Sequence, residues 1–301
     1  MAIALTVFAA PTQAATPVTV AYAGSMGAVM DKGLGPAFDH AHGTAFHGIG
    51  QGAYGLAHLL ASKQMRADVF VSITSGPVKI LQKAGLLGEA VPIASTQMVI
   101  AYSPKSHYAE QFAAAKAGKT PWYQVLETPG LRFGRTDPST DPQGRNIVFS
   151  MMLAERYYHQ PGLTQKILGP LVNPQQIFTE PSLLSRLGSG QVDASSGYLS
   201  AVISHHLPYI RLPDQINLSN PAMVQKWYGK VHFTIKLPNG KTDTLSTQPL
   251  VFYAAVLKNA AHPKLGAASS SCWRALRARS CCSSMVTASP REATSEQDCL
   301  P

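Results

Sequence analysis

Cysteine is nearly missing from this 301-residue chain: all four, Cys272, Cys281, Cys282 and Cys299, lie beyond residue 270. No disulfide frame therefore holds the body, and none of the cysteines has a zinc-site spacing. Charge is sparse as well, at 14% Asp, Glu, Lys and Arg. The net charge of +9 comes from scattered basic residues, without a Lys/Arg run or interleaved aromatics. That pattern gives a general attraction for anions and excludes a nucleic-acid footprint. Long apolar runs are lacking too; none reaches the roughly 18 residues of a membrane span. There is no Gly-x-Ser-x-Gly elbow and no reactive cysteine in the body, which argues against hydrolase chemistry. The ten histidines include His40, His42, His47 and the pair His205-His206. They lack the His-x-x-x-His spacing of a metal site and read as surface residues. The glycines of Phe46-His47-Gly48-Ile49-Gly50-Gln51-Gly52 are not a dinucleotide fingerprint, because the required strand and later acidic residue are missing.

What remains is a chain that is 45% hydrophobic, long enough for one large domain or two lobes. Residues 1–15 are apolar and then small, like the later part of an export signal with cleavage near Ala14 or Ala15. The positive start of such a signal is missing, which is expected of a truncated or misassigned beginning. The product is expected to be soluble and exported. At the other end, a closing amphipathic helix is expected after Lys258–Pro263. From Gly266 on, however, apolar periodicity stops and Ser, Cys and Arg cluster. The expectation is that residues 266–301 form a frameshifted or disordered tail with no packing role.

Between these ends, strand and helix patterns alternate. Residues 16–23 alternate through Val18, Val20 and Tyr22, then turn at Ala23-Gly24-Ser25 into a helix marked by Val29, Met30, Leu34 and Phe38. The glycine-rich stretch ending at Gly52-Ala53 leads into a helix over residues 54–64. A strand over 67–72 turns at Thr74-Ser75 into a helix over 78–84. Residues 97–102 read as a buried apolar strand. This alternation predicts a partly parallel α/β sheet. Ligands gather at the carboxyl ends of strands in such sheets, where Ser25, Gly52-Ala53 and Thr74-Ser75 all fall. Further on, helices are expected over 109–117, 122–126, 163–168, 181–187 and 199–205. Strands are expected over 191–198, 209–212 and 249–257. Pro238-Asn239-Gly240 between alternating runs signals a hairpin.

One stretch stands out, Gly134 to Asn146. It follows an apolar run and precedes a helical pattern over 147–159. Asp141 stands at the N-cap and Pro142 at the first helical position, where a proline loses no hydrogen bond. Gln143, Gly144 and Arg145 would then present backbone N–H groups at the positive end of the helix dipole, a ready place for an oxyanion. Taken alone this reads first as a capped helix after a turn, since most capped helices bind nothing. Ser25 serves as well as a helix cap, and Tyr198 as a core tyrosine. Asp141 reads first as a cap, since a carboxylate beside a dianion repels it. Arg145 fits the surface or a cleft.

Together these runs resemble the periplasmic solute-binding proteins of ABC importers, specifically the molybdate/tungstate-binding group. The likeness lies in Tyr22-Ala-Gly-Ser-Met26, Ala67-Asp-Val-Phe70, Gln97-Met-Val-Ile-Ala-Tyr-Ser103, Trp122-Tyr123, Asp141-Pro-Gln-Gly144 with Tyr157-Tyr158, Gly197-Tyr198 and Pro249-Leu-Val-Phe252. It spans roughly residues 16–263. The resemblance implies a type II two-lobed α/β fold, each lobe a mixed sheet flanked by helices. Lobe I would take 16–100 plus 247–265 and lobe II 101–246, joined by crossing strands at 97–102 and 249–257. It implies a non-enzymatic periplasmic monomer that needs no cofactor, holds no resident metal and binds no nucleic acid. Its role would be to capture molybdate or tungstate between the lobes and deliver it to a permease. Other readings are sulfate or phosphate as the anion, or an exported metal-dependent hydrolase. By resemblance Ser25 supplies a hydroxyl and amide, Gly52-Ala53 a backbone donor without the usual serine, Gln143 and Gly144 the second lobe's helix-start amides, and Tyr198 a contact. Some tungstate-binding relatives complete the metal's coordination with two carboxylates. Asp141 matches the first, and the alignment puts Gly188 at the second, which implies that this carboxylate is absent. A dianion stripped of water needs donors on every side, and uncharged donors of this kind favour its fully deprotonated form.

Overall fold

The computed structural model describes residues 15–237 and 240–280. The export signal expected over 1–15 lies, except for residue 15, outside the described residues. So do Pro238 and Asn239 of the hairpin turn and residues 281–301 of the expected tail. The strands are β1 (Thr16–Ala23), β2 (Thr44–Gln51), β3 (Val69–Ile73), β4 (Val91–Ser95), β5 (Met98–Tyr102), β6 (Phe133–Gly134), β7 (Ala194–Tyr198), β8 (Tyr209–Arg211), β9 (His232–Lys236), β10 (Thr242–Ser246) and β11 (Val251–Val256). The helices are α1 (Gly27–Val29), α2 (Gly35–His42), α3 (Ala53–Ala61), α4 (Ser75–Lys83), α5 (Ala109–Lys116), α6 (Trp122–Leu126), α7 (Pro142–Tyr158), α8 (Leu163–Leu168), α9 (Glu180–Ser189), α10 (Leu199–Ser204) and α11 (Pro263–Ser280).

Two mixed sheets form the centres of two lobes. The first has the order β2-β1-β3-β11-β4; the second has the order β6-β7-β5-β8. In the first, β1 runs parallel to β2 and β3, while β11 returns antiparallel between β3 and β4. Parallel pairing follows from the helices that cross over between consecutive strands, and those helices cover the sheet. The central strand β3 is accordingly buried at every residue, and so is β5, which lies between two antiparallel partners in the second sheet. Two glycines of β2 have a structural explanation in this sheet. The Tyr22 side chain lies over them, so a Cβ would meet Tyr22 at 2.7 Å from either Gly48 or Gly50. Tyr22 then donates its hydroxyl proton to Asp31.

The chain passes between lobes twice. Only Thr96 and Gln97 separate β4 of one sheet from β5 of the other. The return meets the crossing there: Thr96 N–H donates to Leu250 O (3.1 Å), and Leu250 N–H to Leu218 O (2.9 Å). The β9–β10 hairpin stands as its own two-stranded sheet, closed by Leu237 N–H donating to Lys241 O at 2.8 Å. Strand β4 was not foreseen, because Pro92 interrupts its pattern. It sits at the sheet edge, and its register with β11 shifts beside Pro92; edges and bulges are places where a sheet tolerates proline.

The beginning of the expected tail differs from its expectation. Residues 266–280 belong to α11, which packs on β11 and β4. Its start is fixed by Asp68, which accepts from His262 N–H (2.8 Å) and Thr19 N–H (2.9 Å). Ser269 and Ser270 are buried, and each returns its hydroxyl to Gly266 O, at 2.8 and 3.1 Å. This back-bonding lets a serine-rich helix face enter a core without unpaired hydroxyls, so apolar periodicity fails to report it.

Candidate functional site

Three parallel strands of the first lobe end on one edge, and each turns directly into helix. After β1 the chain forms a tight turn, Gly24–Met26. After β2, Gly52 caps α3 with φ −56° and ψ 121°, so that Ala53, fully buried, is the first helical residue. After β3, Thr74 takes φ +69° to enter α4. That conformation costs a β-branched residue about 1–3 kcal/mol and tends to persist at functional edges. Ser25 is 4% exposed, and its hydroxyl has no hydrogen-bond partner. It caps no helix. A buried, unsatisfied hydroxyl is costly in a native protein unless something else uses it.

The second lobe brings its own strand ends to the same seam. Asp141 is the N-cap of α7, with its carboxylate accepting from Gln143 N–H at 2.8 Å, and Pro142 follows at the first helical position. The Gln143 amide expected to be free is therefore the one the cap takes. What Gln143 brings instead is its side chain, which donates to Glu180 Oε1 (3.1 Å) and accepts from Ser196 Oγ (3.0 Å). Gly144 has its Cα against the turn of its own lobe, where a Cβ would lie 2.4 Å from Thr136 O. Tyr198, 1% exposed, ends β7 and accepts from Asn146 Nδ2 at 2.9 Å, which leaves its own hydroxyl proton to donate.

Glu180 is the residue the sequence reading missed. It opens α9 and is 4% exposed. It puts a second buried carboxylate beside Asp141 at the seam. Position 188, where it was sought, lies in the last turn of the same helix, about 12 Å further along at 1.5 Å per residue. The available signal was Thr179-Glu180-Pro181, an acidic residue in the first turn of a proline-started helix. Glu180 is delivered by a fastened loop. Arg135, fully buried, donates to Leu171 O (2.9 Å), Pro170 O (2.8 Å) and Gln176 Oε1 (3.0 Å). Its backbone also pairs with residues 176–178, as Arg135 N–H donates to Gln176 O and Phe178 N–H to Arg135 O.

The lobes meet closely at these groups. A Cβ on Gly52 would lie 3.0 Å from Asp141 Oδ2, and one on Gly24 would lie 3.1 Å from Glu180 Oε2. Ser25, Gly52, Asp141, Gln143, Glu180 and Tyr198 thus gather around one buried seam. Burial pushes the Asp141 carboxyl up to about 6, against the pull of the Gln143 amide bond. Glu180 is pushed well above the usual carboxylate range by burial and then by the Asp141 charge, with the Gln143 side chain and Ser25 N–H opposing. Burial also raises Tyr198, and the two carboxylates add to it. Beside the seam a cavity of about 160 Å³ is lined by Tyr54, Ser75, Lys79, Arg145, Asn146 and Gln248, among others. Among the described residues no group of three His, Cys, Asp or Glu is placed to hold a metal ion, and no helix is long and apolar enough to cross a membrane.

Two sheet-centred lobes, joined where the chain crosses between them and meeting over buried donors and helix starts, define a type II periplasmic-binding-protein fold. The chain belongs to the bacterial extracellular solute-binding protein family, whose model matches residues 18–268. It is similar to an uncharacterised solute-binding protein of Staphylothermus marinus, 29% identical over 200 residues (57% of this chain, 55% of the relative). It is also similar to the molybdate/tungstate-binding protein WtpA of Thermococcus kodakarensis, 32% identical over 195 residues (58% of this chain, 53% of the relative). The chain thus spans about half the length of these curated relatives. A solved structure, the periplasmic molybdate-binding protein of Azotobacter vinelandii, superposes with a TM-score of 0.59 at 16% identity, covering 85% of this chain and 92% of that one. At that identity the likeness is one of fold alone.

Proposed function

We propose that this protein is a periplasmic receptor that captures molybdate or tungstate between its lobes and hands it to the permease of an ABC importer, without turning it over. The observation that carries the reading is the pair Asp141 and Glu180, set across the lobe seam from Gly52 and Gly24, where Ser25 N–H bonds to Glu180 and the Ser25 hydroxyl is left unpartnered. The Ser25 hydroxyl, the Ala53 and Gly144 amides and the Tyr198 hydroxyl donate to the anion's oxygens. Gly52 permits the close approach, and Gln143 orients Glu180.

Two carboxylates would repel a bare dianion. They become favourable if they bind the metal atom itself, which molybdenum and tungsten accept by expanding beyond four oxygens. Sulfur and phosphorus in sulfate and phosphate do not take on extra oxygen ligands in this way. The pair therefore favours the metal oxyanions over sulfate or phosphate. The similarity to a relative named for molybdate and tungstate supports the same choice.

Calorimetry against molybdate, tungstate, sulfate and phosphate tests the proposal. Tight 1:1 binding of the first two with weaker binding of the others is expected; no heat with any of the four defeats it. X-ray absorption at the tungsten edge would then show more than four oxygen neighbours. Four only would take Asp141 and Glu180 out of the coordination sphere.

A further inference from the structure

Beside the anion seam, a second contact joins the lobes. Arg145 of α7 lies with its guanidinium 3.6 Å from the centre of the Tyr54 ring of α3. Each partner also has contacts within its own lobe. Arg145 is 7% exposed, and it donates from Nε to Pro138 O (2.8 Å) and from Nη2 to Ser139 O (3.2 Å). Those two carbonyls hold the planar head flat, with one face toward the other lobe. Tyr54 lies in a slot made by a missing side chain, since a Cβ on Gly76 would sit 2.0 Å from the Tyr54 hydroxyl oxygen. The two residues ride on the helices whose first turns contribute Ala53 and Gly144. Among the described residues no carboxylate forms an ion pair with Arg145, although the Asp141 carboxyl feels its charge; a cation held against an aromatic face and shielded from water is in the stronger range for this contact.

We infer that Tyr54 and Arg145 are a latch: a ligand-independent contact that holds the lobes closed, so that these two positioning residues set how slowly the bound solute leaves. The inference rests on the cleft being the solute site, but the latch itself needs no solute. It predicts that the empty receptor already spends part of its time closed, with the bound solute adding to a contact the protein makes alone.

Small-angle X-ray scattering of the full chain without ligand tests it directly. Tyr54→Ala is expected to raise the radius of gyration above the wild type, and Tyr54→Phe, which keeps the ring face but loses the hydroxyl beside Arg145, to stay closer to the wild type than to Tyr54→Ala. Arg145→Lys keeps the charge but loses the flat face, and is expected to shift in the direction of Tyr54→Ala. Saturating tungstate should return every variant to one compact radius, which shows that each is folded. In stopped-flow displacement, tungstate should leave Tyr54→Ala about 2- to 30-fold faster than the wild type, with association no slower. Equal ligand-free radii for wild type and Tyr54→Ala overturn the latch, as does a Tyr54→Phe that behaves like Tyr54→Ala. If tungstate compacts no form, the wild type included, the oxyanion reading fails while the ligand-free comparison still decides the latch.

Discussion

The two faces of the cleft are chemically unlike. The first lobe meets the seam with Gly24-Ser25-Met26, Gly52-Ala53 and Thr74-Ser75, none of them charged. The second lobe meets it with two buried carboxylates, an arginine, an amide side chain and a tyrosine. Uncharged hydroxyls and helix-start amides grip any oxyanion to a similar degree, since every such anion offers the same acceptors. Ionisable groups differ in what they do to different central atoms and at different pH. On the proposed reading the contrast is a division of labour: the first lobe would supply grip, and the second choice and pH response. Each prediction below sharpens or breaks that division.

The largest effect is expected where the two faces touch. Gly52 has φ −56° and ψ 121°, which any L-residue adopts without strain. Its Cβ position nonetheless lies 3.0 Å from Asp141 Oδ2 and 3.2 Å from Thr140 O of the other lobe. Gly52→Val should therefore block closure and leave the open protein intact. Tungstate affinity should fall by roughly 100-fold or more, about 3 kcal/mol, as expected of overpacking at a tight contact. Thermal melting of the ligand-free protein should move little. A melting point that drops along with the affinity would show that Gly52 supports the lobe itself and not the seam.

Next comes the pH response, which the comparison assigns to the second lobe alone. Burial raises the Asp141 carboxyl from 3.8 to about 6 in the folded protein. A group whose folded value lies above its unfolded one stabilises the protein fully below the unfolded value. That contribution is lost as pH rises through the folded one. Ligand-free stability should thus lose up to about 3 kcal/mol from this group between pH 4 and 6, at 1.36 kcal/mol per pH unit of displacement. Asp141→Asn keeps a competent helix cap and should flatten that part of the curve. Urea melts of both proteins at pH 4, 5, 6 and 7 measure the difference, and parallel curves would mean that Asp141 is not held in this state.

How much of this arrangement could be read from the chain alone depended on how local its cause was. The strand–turn–helix units of the first lobe were legible because alternation and turn residues lie within each unit. The Asp141-Pro142 cap was legible because capping is a matter of adjacent residues. The β9–β10 hairpin was legible from Asn239-Gly240. Glu180 was not, because an acid before a proline at a helix start is ordinary. Its meeting with Gln143 depends on Arg135 fastening a loop some 35 residues further on, with Pro170 O as one of its anchors. Arg145 was undecided between surface and cleft because its partner, Tyr54, is in the other lobe. Strand β4 was hidden by Pro92, and the buried part of α11 by its serines. Contacts between lobes leave no periodic trace in sequence, so the turn residues, the helix starts and Asp141 could be read from the chain, while the meeting of Glu180 with Gln143 and of Arg145 with Tyr54 could not.

The last two substitutions set the faces against each other. Glu180→Gln keeps the shape and the bond to Gln143 but removes the charge that, as proposed, only a metal oxyanion uses. Tungstate binding should weaken by about 1.5–3 kcal/mol, the range for a lost contact to a charged group, while sulfate binding weakens less or even improves. The ratio between the two anions should therefore shrink. Ser25→Ala is expected to have the smaller effect, about 1–3 kcal/mol, and of a different kind. Its hydroxyl meets an oxygen whatever lies at the anion's centre, so tungstate and sulfate should lose affinity equally and their ratio should hold. The hydroxyl is also buried without a partner in the empty protein. Removing it should leave the ligand-free melting temperature unchanged or slightly higher, unlike most buried substitutions. Calorimetry with both anions, beside a thermal melt, measures all three quantities. A Ser25→Ala that alters the tungstate-to-sulfate ratio would place selectivity in the first lobe, and the division between grip and choice would not survive it.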